Sequence, residues 1–455
     1  IYINLQPGTK RIHKKLTKIE DEIRPYLAQN EETVQELQEQ SAGEKGIADY
    51  LYHADNYPVY AGCKMKYYPI GEAKFADMIE QLKRAEHFIF MEYFIVAKSY
   101  MWNTILEILK EKAAQGVEVR MMYDGMCSLA LLPYGYYKDL EKMGIQSIPF
   151  SQIRPVLSTY QNNRDHRKIL IIDGKTVFTG GINLADEYIN RIDRFGHWKD
   201  TAVMIQGEAV KSFTLLFLKM WHVAKGKDSI PQEEIQKYTV SVWENAQTGE
   251  MRTDMESMRN TDMQNTQDKK LHAGGYVIPY GDDPYGDERI GKQVYIDILN
   301  RARKYVHIMT PYLILDDEMI TALRYCAKRG VETVIIMPHI PDKIYAYLLA
   351  RTYYKQLLKY GVKIYEYQPG FLHAKSFVSD DEIGVVGTIN LDYRSLYLHF
   401  EDGVWIYRNR VIQDIKDDFI QTMEYCRQIE PEFCLNRNIG LRIMQNIFRA
   451  FAPLM

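Results

Sequence analysis

Apolar and polar positions follow a block pattern along this chain, and the block occurs twice. Each block opens with apolar residues at helical spacing, and a short run rich in aromatic and β-branched residues follows, which predicts a buried strand. In the first copy the strand HFIFMEYFIV follows the helical positions Phe75, Met78, Ile79 and Leu82. In the second copy the strand YVHIMTPYLI follows Tyr295, Ile298, Leu299 and Ala302. We therefore predict two α/β halves that repeat each other.

The repeat continues beyond these first two elements. AAQGVEVRMMYDG matches AKRGVETVIIMPH, and YYKDLEKMGIQSIPF matches YYKQLLKYGVKIYEY. Each reads as a helix end, a glycine cap and a further strand. Because strands and helices alternate, we expect the fold class to be α/β, with a mostly parallel sheet flanked by helices in each half. The two halves should pack with pseudo-twofold symmetry.

Changes in composition divide the chain into five segments. Between the halves lies a polar stretch almost free of branched apolar residues, which predicts a linker. The last residues place apolar side chains on one helical face, which suits either a helix on an anionic membrane surface or one packed on the domain. The predicted segments are a charged helical juxtamembrane segment 1–45, a first half 46–243, a linker 244–274, a second half 275–432 and an amphipathic tail 433–455.

Composition agrees with a folded, globular protein of two halves. The chain has 455 residues, 46% of them hydrophobic and 26% charged, and a formal net charge of −3. This charge argues against a dedicated nucleic-acid-binding protein, which is normally basic. Five scattered cysteines without CxxC spacing predict free thiols and no zinc site. The sequence contains no run of 18 apolar residues, so it predicts no membrane-spanning helix.

One short pattern, His-x-Lys-x4-Asp followed by Gly-x-x-Asn, also occurs once in each half. Its residues are His166, Lys168, Asp173 and Asn183, and then His373, Lys375, Asp380 and Asn390. In a strand, residues two apart share a face, so each His and Lys should point into one cavity. An imidazole beside an ammonium suits an anionic phosphorus centre. Each Asp begins the following turn, so we expect it to fix the strand end.

With these motifs the chain resembles the phospholipase D superfamily, which carries this duplicated pattern. The longer stretches GGINLADEY, GTINLDYRS and TPYLILDDEM look like those of bacterial cardiolipin synthases, and the resemblance runs from about residue 56 to residue 455. It implies transfer of a phosphatidyl group between two phosphatidylglycerol molecules, giving cardiolipin and glycerol. It implies no cofactor and no metal, since the lysines supply positive charge.

The resemblance also implies a role for each site residue. One imidazole attacks phosphorus and the other protonates the leaving alkoxide; symmetry does not say which, and we expect His166 to attack and His373 to act as acid. Acids about 30 residues after each histidine, Asp200 and Glu401, should orient the imidazoles. Residue His399 stands where this family has asparagine. Three residues flanking the motifs are expected to contact the lipid phosphate, namely Arg164, Arg394 and Ser395.

A membrane is the expected partner, without nucleic acid. Relatives of this kind carry hydrophobic helices upstream, so we expect a bacterial membrane protein whose catalytic part faces the cytoplasm and whose anchor lies outside this chain. The apolar stretch 128–134 either enters the bilayer or covers the core. The sequence leaves open the oligomeric state and the phosphatidyl donor. The alternatives are a hydrolytic phospholipase D, another phosphodiesterase with this motif, and a non-enzymatic scaffold.

Overall fold

The strands of this chain form two sheets. A computed structural model describes residues 7–151, 162–247 and 271–431. Its strands are β1 Tyr60–Ala61, β2 Lys64–Tyr68, β3 Phe88–Tyr93, β4 Glu118–Asp124, β5 Gln146–Phe150, β6 Lys168–Ile172, β7 Thr176–Gly180, β8 Ala202–Gln206, β9 Tyr276–Asp282, β10 Tyr305–Met309, β11 Glu332–Pro338, β12 Lys363–Tyr367, β13 Ser376–Ser379, β14 Ile383–Gly387, β15 Glu401–Tyr407 and β16 Cys426–Gln428. The first sheet has the strand order β2-β8-β7-β6-β3-β4-β5. The second sheet has the order β1-β9-β15-β14-β13-β10-β11-β12-β16.

Helices cover these sheets. The described residues also include two short 3₁₀ helices, Arg24–Leu27 and Asp186–Ile189. The α-helices in the described residues are Pro7–Ile23, Glu31–Gln40, Ala42–Asp55, Gly71–Arg84, Tyr100–Ala114, Cys127–Ala130, Tyr136–Lys142, Val210–Ala224, Gln232–Gln247, Ile290–Arg301, Asp317–Lys328, Ile344–Tyr360, Tyr393–Tyr397 and Val411–Glu424. The α/β fold class predicted from the sequence is confirmed.

The two sheets repeat the same strand order. Strands β2, β8, β7, β6, β3, β4 and β5 correspond in turn to β9, β15, β14, β13, β10, β11 and β12. The second sheet adds β1 and β16 at its edges. The motif strands β6 and β13 therefore hold equivalent places, each between its hairpin partner (β7 or β14) and the first of the three parallel strands (β3 or β10).

The prediction of mostly parallel sheets was wrong. Only β3-β4-β5 and β10-β11-β12 run parallel, and the other neighbouring strands are antiparallel. The reason lies beside the motif: residues 173–175 alone join β6 to β7, which is enough for a turn, whereas a parallel crossover needs a dozen or more residues. Asp173 itself takes a left-handed conformation there, with φ of 53°.

The N-terminal helices pack on the body of the protein. Leu16, Ile19 and Leu37 are fully buried in its core, and the helix Pro7–Ile23 lies against Val210–Ala224. Strand β1 precedes the first sheet in sequence, yet it pairs with β9 of the second. The Gln40 amide donates to the Tyr276 hydroxyl at 2.7 Å, so the segment before the first half contacts both halves.

Some predicted segments lie outside the described residues: the amphipathic tail 433–455 and, of the linker, residues 248–270. Within the part of the chain that the structure describes, no helix is both long and apolar enough to cross a membrane. Of the stretch 128–134, Leu132 is buried, whereas Leu131 and Tyr134 are exposed. Elsewhere in the described residues, Cys63, Cys127, Cys326 and Cys426 carry free thiols.

Candidate active site

Backbone pairing locks each motif to the opposite half of the protein. The His166 N–H donates to the carbonyl of Phe400 at 2.9 Å, and the Phe400 N–H donates back to Arg164 at 2.8 Å. In the symmetric place, the His373 N–H donates to the carbonyl of Lys199 at 2.7 Å. Each histidine therefore enters its strand beside the segment of the other half that carries an acid.

The orienting acids are consequently exchanged between the halves. His166 Nδ1 lies 2.8 Å from Glu401 Oε2, and His373 Nδ1 lies 2.6 Å from Asp200 Oδ2. Both carboxylates are fully buried. Each acid follows its own half's histidine by about 30 residues in sequence, yet it contacts the histidine of the other half.

Burial sets the charge of these pairs. It lowers the pKa of His166 well below its ordinary value, with Glu401 opposing the shift, and it lowers the pKa of His373 to about 4, with Lys375 adding to the shift. Burial would raise the pKa of Asp200, but His373 holds it below its ordinary value. A neutral imidazole that donates Nδ1–H to an ionised carboxylate carries its lone pair on Nε2.

Both motif lysines lie in the same buried cluster. Each ammonium donates to the backbone carbonyl of its own histidine, Lys168 to His166 and Lys375 to His373. Burial lowers the pKa of Lys168 to about 8 and that of Lys375 to about 7. The charge of Lys168 also depresses the pKa of His373, so the two motifs share one electrostatic environment.

The two asparagines differ in their contacts. The Asn183 amide donates to the Tyr188 hydroxyl at 2.8 Å and accepts from the Ile95 N–H at 2.9 Å. Asn390 Oδ1, in contrast, has no hydrogen-bond partner in the described residues. The first amide is therefore held in place, and the second keeps its oxygen unused.

Known proteins share this duplicated arrangement. The family model described as "Cardiolipin synthase, PLD-like domain" matches residues 78–221 and 295–423. The chain belongs to the cardiolipin synthase family. The cardiolipin synthase of Alkalihalophilus pseudofirmus is 31% identical over 98% of this chain and 83% of its own length. An uncharacterised protein of Streptococcus mutans is 47% identical over the whole chain and 92% of its own length.

A solved structure supports the fold. The phosphatidylserine synthase of Haemophilus influenzae superposes with a TM-score of 0.62, covering 90% of this chain and 97% of its own, at 14% identity. Membership in the cardiolipin synthase family makes the chain an enzyme of the phosphatidyltransferase class.

The motif aspartates, Asp173 and Asp380, lie away from the two motif imidazoles. Asp173 accepts from the N–H groups of residues 86–88, and Asp380 accepts from those of residues 303–305. Each carboxylate thus fixes the start of β3 or β10, at the far end of the motif strand. The strand-end interpretation of the sequence agrees with this placement, and a direct catalytic role does not.

The three expected phosphate-binding residues are not equivalent. Arg164 is buried, donates to the Ser151 carbonyl at 2.7 Å and pairs with Asp124, so its guanidinium already has protein partners, and its contact with the lipid phosphate stays a prediction. The Ser395 hydroxyl is buried without a partner among the described residues. Arg394 stays partly exposed.

Sequence reasoning missed a buried ion cluster behind the motif. Arg167, between the motif histidine and lysine, pairs with Glu92 at 2.8 Å and with Asp165 at 3.2 Å. Strand alternation was the available signal, because it turns residue 167 away from its two neighbours. On the site face, His399 lies beside His166 with ring centroids 5.4 Å apart, and Trp198 lies 5.5 Å from His373.

Proposed function

We propose that this chain is a cardiolipin synthase that transfers a phosphatidyl group from one phosphatidylglycerol to the hydroxyl of a second. The exchanged pairs Glu401–His166 and Asp200–His373 carry the proposal, because they hold two imidazoles in the same tautomer, each with Nε2 left for chemistry. One nucleophile and one acid are what two successive displacements at phosphorus require.

In the first step, Nε2 of His166 attacks the donor phosphorus. A P–N bond forms as the P–O bond to glycerol breaks, and protonated His373 gives its proton to that leaving oxygen. In the second step, neutral His373 takes the proton from the acceptor hydroxyl, whose oxygen displaces His166. One phosphodiester replaces another, so the sequence consumes no nucleotide.

The remaining motif side chains stabilise the charge that develops on phosphorus. Lys168, Lys375 and the two amides donate toward the non-bridging oxygens. Such preorganised donors contribute roughly 3–4 kcal/mol each to transition-state stabilisation where single donors have been removed. The site is nearly dry, with His166 6% and His373 7% exposed, which strengthens each of these interactions. Low exposure also favours a lipid hydroxyl over water in the second step.

Product analysis tests the proposal. The purified protein is incubated with phosphatidylglycerol in detergent micelles, and lipids and glycerol are quantified. We expect cardiolipin and glycerol in equal amounts from the unchanged protein and from His53→Ala, an exposed-histidine control. His166→Ala and His373→Ala should each lose almost all turnover. Phosphatidic acid as the sole lipid product would make the enzyme a hydrolase, and full activity in either site variant would refute the mechanism.

A further inference from the structure

His399 is a buried imidazole without a hydrogen-bond partner among the described residues. It is 8% exposed, and neither of its ring nitrogens has a hydrogen-bond partner in the described part of the chain. Its Nδ1 lies 3.6 Å from Glu401 Oε1, longer than a hydrogen bond, and that oxygen also lacks a hydrogen-bond partner. Buried polar atoms are nearly always paired, so this cluster of unused lone pairs indicates a ligand.

Three side chains bring candidate metal-ligand atoms close to one another. One nitrogen each from His166 and His399 and one oxygen from Glu401 lie within 4.8 Å of one another. Two imidazoles and one carboxylate form a donor set typical of Zn²⁺, with bonds of roughly 2.0–2.2 Å and a fourth position left open. Binding would require these side chains to draw closer together until all three reach that distance from one ion.

The other half of the site cannot form such a cluster. His399 stands two residues before Glu401, and Trp198 stands two residues before Asp200. The indole ring packs near His373 and offers no metal ligand. Zn²⁺ would therefore bind on the His166 side alone, although the two halves repeat each other in fold.

The local charge balance permits a cation there. Lys168 opposes it, but its ammonium donates to the His166 carbonyl. Glu401 would be a direct ligand, and the buried acids Asp402 and Asp165 act on Lys168 together with it. The open fourth position could take water or an anionic lipid oxygen.

We propose that His166, Glu401 and His399 form an inhibitory Zn²⁺ site in this enzyme. Bound metal occupies a ring nitrogen of His166, so the imidazole loses either its lone pair on Nε2 or its bond to Glu401. The inhibition, unlike the binding, rests on the proposed function. Zinc availability would then set the rate of phosphatidyl transfer.

Binding is tested first, without any lipid. The purified full chain is stripped with a chelator and titrated with Zn²⁺ alone, and the bound metal is counted by equilibrium dialysis. Titration with Co²⁺ reports the coordination geometry through its visible absorption. We expect one tight site in the unchanged protein and in His53→Ala. His399→Asn should bind at least tenfold more weakly, because it removes one imidazole ligand.

Turnover is measured second, with each variant compared with its own metal-free rate. Zn²⁺ should inhibit the unchanged protein at the concentration that fills the site, and His399→Asn should need at least tenfold more. Equal Zn²⁺ affinity in both proteins would overturn the site. Tight binding without inhibition would overturn its regulatory role. If no variant turns over lipid, the proposed function fails, while the binding measurement still decides the site.

Discussion

Replacing Glu401 by Gln should disable His166, although these residues are 235 positions apart in the chain. The hydrogen bond is 2.8 Å long and fully buried on the acid side. A hydrogen bond to a charged group contributes about 1.5–3 kcal/mol, which corresponds to roughly a 10- to 150-fold change in rate. Gln can also donate to Nδ1, which moves the ring proton to Nε2 and removes the attacking lone pair. Such a tautomer change costs about 10⁴-fold in a comparable triad.

The assay separates the two imidazoles by their need for a proton. A phosphatidyl donor with an acidic phenol as leaving group departs without a general acid, so it bypasses the acid imidazole but not the nucleophile. His166→Ala should lose release of the phenol, whereas His373→Ala should retain its first turnover. Because the acids are exchanged, Glu401→Gln should behave as His166→Ala does, and Asp200→Asn as His373→Ala does.

A matched control exists outside the site. Glu366 is also buried and lies 3.0 Å from a histidine, His339, and it pairs with Arg351 at 3.1 Å, so Glu366→Gln neutralises a buried acid beside a histidine without touching the motifs. It should keep near-normal turnover. The orienting role of the exchanged acids is refuted if Asp200→Asn behaves as His166→Ala does. It is also refuted if the turnover of Glu401→Gln falls less than tenfold while circular dichroism shows that the variant is folded.

Three further predictions concern packing, protonation and stability. A Cβ at Gly181 would lie 2.0 Å from Asp200 Oδ1, so Gly181→Ala should lower kcat at least tenfold with little change in micelle binding, whereas Gly46→Ala, where a Cβ meets nothing within 4 Å, should not. A soluble phosphodiester anion should raise the pKa of His373 from about 4 by offsetting Lys375, so its binding at mildly acidic pH should take up a proton in weakly buffered solution, and not in His373→Ala. Burial raises the pKa of Asp282 to about 7, so near neutral pH the folded protein keeps a proton that the unfolded chain has lost. The contribution of this protonated group to folding stability is present at pH 4 and is lost as pH rises through about 7. Asp282→Asn should therefore raise the Tm at pH 8 by about 2 °C or more and leave it unchanged at pH 4, as calorimetry would show.

Sequence could predict the members of the site because they lie in short, repeated patterns. The motif pairs and the two acids all reach the buried cluster. Which acid meets which histidine could not be predicted, because that depends on the bridges Asp165–Phe400 and Lys199–Leu372 between distant segments. The strand direction was within reach, since the short turn after Ile172 excludes a parallel crossover. Asparagine was expected at position 399 from the resemblance, but only the structure showed that the ring nitrogens of His399 lack hydrogen-bond partners among the described residues.

The exchange of acids explains why neither half is sufficient. Glu401 opens β15 of the second sheet and orients the histidine of the first, and Asp200 does the reverse. Thr179 donates to Asp402 across the same boundary, so the contact between halves is itself polar and buried. Leaving a buried acceptor without its hydrogen-bond donor costs about 1–3 kcal/mol, and more when the acceptor is charged. Separating the halves would leave two carboxylates without imidazoles and two imidazoles without orientation. Because the exchange is reciprocal, a change that shifts either strand end should impair the chemistry of the opposite half before it unfolds its own.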